Sequence, residues 1–171
     1  MTKSRHAIFA FVVALLLGCV GQGETLPPTF FGMHVNQSKT AWPSVGFGSY
    51  RLWDDGTAWA NLNPSNGSYN WAPLDAWVNR AQQQNVQLLY TFGRTPAWAS
   101  SNTSISCNYG GGQCVAPANY AYWDAYVTAL VTRYKGKIKY YELWNEPNDP
   151  GFWKGTTAQM VEMTRRASQI I

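Results

Sequence analysis

A chain of 171 residues with 46% apolar and 13% charged side chains can form one packed core and lacks the composition of a disordered protein. Without Lys3 and Arg5 the 13 basic residues fall to 11 against 9 acidic ones, so the formal charge of +4 implies no nucleic-acid partner. Two histidines and three cysteines show no metal-ligand clustering, and neither a metal nor another cofactor is expected.

The N-terminus reads as a secretory signal over residues 1–19. Met1 to His6 carries positive charge, Ala7 to Leu17 is an unbroken apolar run, and Gly18-Cys19 adds small residues. The apolar run is shorter than the about 20 residues a membrane-spanning helix needs. Leu16-Leu17-Gly18-Cys19 also resembles a bacterial lipoprotein box, in which Cys19 becomes the lipidated first residue and attaches the chain to a membrane. Leu17 fits that pattern poorly, which leaves plain cleavage nearby as the alternative. Either way the protein is expected to be extracellular, periplasmic or held at a membrane by lipid. Assigning Cys19 to the anchor leaves Cys107 and Cys114 as one pair in a Gly-rich loop. An oxidising compartment favours a disulfide between them over two free thiols.

After a Pro-containing lead-in over residues 20–28, Thr29 to Asn36 is an apolar run closing in polar residues, which predicts a buried strand. The second predicted strand, Gly48 to Trp53, stops at the turn signal Asp54-Asp55-Gly56. Leu74, Trp77, Val78 and Ala81 follow Pro73 at helical spacing, with Asn85 as a stop. Val86 to Gly93 predicts a third strand. The stripe Trp123, Val127, Leu130, Tyr134 predicts a helix before Gly136, and Ile138 to Trp144 a fourth strand. A last helix opens on the capping-box pattern Thr156-x-x-Gln159 and carries Met160, Met163, Ala167 and Ile170. This alternation argues for an α/β fold of parallel units, as a doubly wound sheet or a barrel. A full (β/α)₈ barrel takes about 250 residues, so four strands over 29–171 would be the N-terminal half of a TIM barrel, truncated.

Ligands of parallel β/α folds gather at the carboxyl ends of the strands. The residues there are His34 and Asn36, Arg51 and Trp53, Phe92 to Arg94 with Trp98 beyond, and Asn145 and Glu146. Polar groups among tryptophans suit a sugar, whose hydroxyls seek amides and charges while its C–H faces lie on rings. Trp71, Trp77 and Trp123 read as core. Trp98, after Pro96 and beside a long loop, reads as a ligand contact.

Trp144-Asn145-Glu146-Pro147 resembles the acid/base motif of the retaining glycoside hydrolases of clan A, which are (β/α)₈ barrels. Gly32-Met33-His34, Arg51-Leu52-Trp53, and Tyr90-Thr91-Phe92-Gly93 leading to Thr95-Pro96-Ala97-Trp98 extend the likeness over nearly all of 29–171. Together they most resemble glycoside hydrolase family 39 and its relatives. The resemblance implies a carbohydrate substrate, with Glu146 as general acid and then base and Asn145 on the 2-hydroxyl. It implies that Arg51 orients a nucleophile and that His34, Trp98 and Trp144 line the sugar pocket. Retaining hydrolysis needs a second carboxylate about 5–5.5 Å away. The family places it on the seventh strand, so the chain is expected to be incomplete at Ile171 and inactive alone.

No other acid substitutes. Glu142 shares the parity of Glu146 but lies roughly 13 Å deeper, at about 3.3 Å per residue, and is expected to pair with Arg51 or with a Tyr or Trp. Asp54 and Asp55 read as a solvated turn, Asp149 as a substrate contact, and Glu162 as a partner of Arg165 or Arg166. The basic residues Arg133, Lys135, Lys137 and Lys139 read as a solvated loop at the opposite end. A non-catalytic carbohydrate-binding lipoprotein is the alternative reading, although binding alone does not call for an acid at Glu146.

Overall fold

A computed structural model describes residues 25–35 and 41–171. The expected signal segment with Cys19, and Asn36, lie outside the described residues. Four strands form one parallel sheet in chain order: β1 (Gly32–Met33), β2 (Ser49–Leu52), β3 (Gln87–Thr91) and β4 (Tyr140–Glu142). Each lies within its predicted run and is shorter than it. The helices are α1 (Trp59–Leu62), α2 (Ala72–Gln83), α3 (Tyr120–Arg133) and α4 (Thr157–Ile170), after a 3₁₀ turn at Pro28–Phe30. The 3₁₀ turn and α1 were not anticipated, since a single turn is too short to show a period. Among the described residues no helix is long and apolar enough to cross a membrane.

Local signals set the helix ends. Pro73 occupies the first turn of α2, where a missing N–H costs nothing, and Asn85 follows its end in the left-handed conformation with φ 53°. The Asn119 side chain accepts the Ala121 N–H at 2.9 Å to start α3. At α4 both halves of the capping box form, Gln159 N–H to Thr156 Oγ1 at 3.1 Å and Thr156 N–H to Gln159 Oε1 at 2.8 Å.

Register assigns the two sheet faces. Leu52, Tyr90 and Tyr141 stand side by side, as do Tyr50 and Leu88; with Phe92 they face the helices. Ser49 beside Gln87, Arg51 beside Leu89 and Tyr140, and Thr91 beside Glu142 share the opposite face. The helix-side residues meet Val78 and Ala81 of α2, Trp123, Tyr126, Val127 and Leu130 of α3, and Met163 and Ala167 of α4 in one core. Full burial of each large aliphatic side chain there stabilises by about 1.5–3 kcal/mol. Between β1 and β2 the described residues contain no helix. Instead the Trp42 ring stacks on Tyr50 at 5.6 Å, and Trp77 of α2 stacks on Tyr50 at 5.0 Å. Two indoles thus cover the sheet where a crossover helix would lie.

Candidate active site at the strand ends

Three non-glycine residues adopt left-handed backbone just beyond three successive strands: Asp54 (φ 62°) after β2, Arg94 (φ 63°) after β3 and Glu146 (φ 41°) after β4. Such positions cost about 1–3 kcal/mol each and gather where function demands a fixed geometry. Glu146 is the most constrained, because a residue preceding proline favours extended backbone. Its carbonyl accepts the Asp149 N–H at 2.9 Å, closing the turn that turns the carboxyl out to solvent.

A chain of hydrogen bonds leads from the open sheet face to that carboxyl. Arg51 Nε donates to Glu142 Oε2 at 2.7 Å, and Arg51 Nη2 donates to Asn145 Oδ1 at 2.7 Å. Thr91 Oγ1 donates to the same Glu142 oxygen at 2.8 Å. Asn145 Nδ2 then donates to Glu146 Oε2 at 3.1 Å. Guanidinium has no acceptor, so Arg51 dictates which end of the Asn145 amide it meets. The amide nitrogen is thereby presented to Glu146. One N–H of that nitrogen stays free for another acceptor, on a residue only 2% exposed.

The structure therefore brings Arg51, Asn145 and Glu146 together and adds Glu142 and Thr91. The expected pairing of Glu142 with Arg51 forms, and the second Arg51 bond goes to Asn145. Thr91 was missed, although a hydroxyl ending an apolar strand beside Glu142 was a readable signal. His34 accompanies them, its Nδ1 lying 3.2 Å from the Arg51 carbonyl. His34, Arg51, Ser49 and Leu89 border one cleft of about 300 Å³.

Two tryptophans lie elsewhere. The Trp98 indole N–H donates to Asn63 O at 2.8 Å, and its ring meets Tyr122 edge-on at 5.1 Å, so it packs between α1 and α3. Trp144 is buried: its N–H donates to Phe152 O at 2.9 Å and its ring meets Trp153 at 5.2 Å. The strand stops at Glu142, and its alternation does not carry on to residue 144.

The Asp-Asp-Gly turn corrects the expectation of a solvated one. Asp55 is 1% exposed; its carboxylate accepts the Trp53 N–H at 3.2 Å and the Tyr50 hydroxyl at 3.4 Å. Burial pushes its pKa up to about 7, opposed by those hydrogen bonds and aided by the charge of Asp54. Tyr109 Oη donates to Asp54 Oδ1 at 2.5 Å, and the Arg94 guanidinium lies 4.4 Å above the Tyr109 ring. Burial, with Asp54 as acceptor, pushes the Tyr109 phenol up to about 12, so it keeps the proton it donates. Gly93 permits this wall, because a Cβ there would lie 2.7 Å from the Trp53 ring.

Cys107 and Cys114 are joined by a disulfide, with Cα atoms 5.6 Å apart. Glu162 binds both Arg165 and Arg166, each at 2.7 Å. Arg133 is held by Asp75 at 2.6 Å and belongs to α3, not to a solvated loop.

The sequence model of a family described as "Glycosyl hydrolase family 10" matches residues 53–164, more than half of the chain. A curated β-xylosidase of Geobacillus stearothermophilus is 29% identical over 58% of this chain and 22% of its own. A family 39 glycoside hydrolase of Xanthomonas axonopodis pv. citri is similar in structure with a TM-score of 0.53 at 24% identity, over 73% of this chain and 27% of that one. Xylanase 10B of Thermotoga maritima gives 0.53 at 15% identity, over 82% and 46%. The chain thus spans 22% to 33% of the length of the curated relatives it matches. Its four parallel strands with helices have the fold of part of a (β/α)₈ barrel.

Proposed function

The chain belongs to glycosyl hydrolase family 10, within clan A, and on that premise we propose that it carries the acid/base half of a retaining site acting on a xylan-type polysaccharide. The family 39 resemblance read from the motifs falls in the same clan. The observation that carries the reading is the chain Arg51–Asn145–Glu146, which ends on a solvent-facing carboxyl at a strand end. The class of substrate rests on the printed names of relatives, a β-xylosidase and an endo-1,4-β-xylanase.

In the first step Glu146 gives its proton to the leaving glycosidic oxygen while a partner carboxylate attacks the anomeric carbon. In the second, Glu146 takes a proton from the water that releases the sugar. The free N–H of Asn145 holds the 2-hydroxyl, and His34 with Arg51 borders the sugar cleft. On this reading the partner carboxylate is a strand-end glutamate encoded past Ile171, and export with residues 1–19 removed, or with Cys19 lipidated, brings the enzyme to its substrate.

The test reads the gene to its next stop codon and assays that protein on xylan. Glu146→Gln is expected to lower turnover by about 10²–10⁴-fold, the usual contribution of a positioned acid. An aryl xyloside whose leaving group needs no proton should keep its first step. Turnover equal to the parent's would sink the assignment of Glu146. Binding of xylo-oligosaccharides without any turnover would point to a carbohydrate-binding protein instead.

A further inference from the structure

The irregular loop between β3 and α3 is drawn tight around its disulfide. Gly112 N donates to Ile105 O at 2.8 Å and Cys114 N to Cys107 Sγ at 2.9 Å, while Gly110 (φ 131°) and Gly112 (φ 75°) take conformations that favour glycine. A bridge across a sequence separation of 7 removes freedom from the unfolded chain, less than a longer closure would, and it also fixes the local geometry of the loop. That geometry faces the loop that follows Glu146. Asn108 N donates to Gly151 O at 3.1 Å, Lys154 N donates to Cys114 O at 2.6 Å, and Lys154 Nζ donates to Ser106 O at 2.7 Å. The Tyr109 ring meets Phe152 at 5.8 Å, and a Cβ on Gly151 would collide with the Asn108 side chain.

The contacted segment leads back to the acid. Phe152 O accepts the Trp144 indole N–H, and Asp149 ties Gly151 N, at 2.6 Å to its side chain, to the turn closed on the Glu146 carbonyl. We propose that the bridged loop of residues 107–114 is a brace that positions the loop carrying Glu146, and that opening the Cys107–Cys114 bond releases that loop. Cys107, Cys114 and Tyr109 are positioning residues for the acid, a role that rests on the reading of Glu146 given above. A dithiol reductant supplies the two electrons. One of its thiolates attacks the Cys107 sulfur, which is more exposed than the buried Cys114, and expels the Cys114 thiolate. Its second thiol then closes the reductant's own disulfide, leaving two protonated cysteines on the protein.

Amide hydrogen exchange tests the brace without substrate, so its outcome is independent of whether xylan is turned over. In the folded protein, treatment with dithiothreitol or the pair Cys107→Ser and Cys114→Ser should speed exchange at Asp149, Gly151, Phe152, Trp153 and Lys154 at least tenfold. Amides of β3 and α3 should be unchanged. Tyr109→Ala, which removes the ring from Phe152 with the bridge intact, should loosen the same amides. Tyr109→Phe, which keeps the ring against Phe152, should not. Faster exchange confined to residues 101–114, or spread evenly over the molecule, overturns the proposal. So does a Tyr109→Ala variant that exchanges like the parent. In the turnover assay the opened brace should lower kcat with KM unchanged.

Discussion

The two faces of the sheet are built on opposite terms. Toward the helices stand Tyr50, Leu52, Leu88, Tyr90 and Phe92, each almost wholly buried, and their few polar atoms are satisfied inside the core. Tyr90 gives its single proton to Thr57 O at 2.6 Å, so the 2.6 Å contact between the Tyr90 and Tyr126 hydroxyls has Tyr126 as donor. On the other face Arg51 and Glu142 keep 27% and 32% of their side chains exposed while paired at 2.7 Å. One face holds the molecule together by excluding water. The other pairs its charges closely enough to order them and to aim Asn145.

The largest effect expected from this contrast is on the helix side. Trp123 packs against Trp59 at 5.3 Å and Phe92 at 5.1 Å, and its N–H donates to Met163 O at 3.0 Å, tying α3 to α4. Trp123→Ala should cost about 5 kcal/mol, the upper end for an aromatic truncated in a core, read as a lower urea midpoint. A loss under about 2 kcal/mol would mean that this face repacks as freely as a surface, and the contrast would fail.

Next in size is Asp55, the one buried acid among the described residues. The folded pKa of Asp55, about 7, lies above its ordinary value of 3.8. Below about pH 4 both folded and unfolded chains hold the proton. Between about pH 4 and pH 7 only the folded chain does, so stability falls as pH rises through that window and levels off above it. At about 1.4 kcal/mol per unit, the loss is roughly 4 kcal/mol. Asp55→Asn keeps an acceptor for Trp53 N–H and carries no charge. Its stability should therefore be flat from pH 4 to 7, and a slope equal to the parent's would assign the titration to another group.

Most of the helix side was readable from sequence, because burial there repeats with the period of each element: Leu74, Val78 and Ala81, then Trp123, Val127 and Leu130, then Met163 and Ala167. The strand-end positions of Arg51, Asn145 and Glu146 were readable too, since a parallel sheet sends its carboxyl ends to one rim. What escaped depends on partners distant in sequence. Asp55 resembles any turn aspartate until Tyr50 and the Trp53 backbone enclose it. The partners of the Trp98 and Trp144 indole N–H groups, Asn63 O and Phe152 O, are equally invisible in the sequence. The β1–β2 crossover shows no helical stripe because Trp42 and Phe47 pack on Tyr50 as single rings.

The smallest effect is the most telling for the open face. Glu142→Gln leaves an oxygen for Arg51 Nε and Thr91 Oγ1 but removes the charge. Because the pair is about a third exposed, solvent screening limits the cost to roughly 1 kcal/mol. Arg51→Met removes the same pair from the other side, together with the bond that orients Asn145. The double variant should therefore recover part of the summed losses, with a coupling of about 0.5–1 kcal/mol that shrinks as salt is added. Coupling below about 0.2 kcal/mol would make the pair an ordinary surface contact. Turnover separates the two partners more sharply than stability does. Glu142→Gln keeps Arg51 on Asn145 and should change kcat little. Arg51→Met frees the Asn145 amide to turn its oxygen toward Glu146, where it would accept a proton instead of donating one. If the two variants lose equal turnover, the route from Arg51 through Asn145 to Glu146 carries nothing, and the open face is as passive as the closed one.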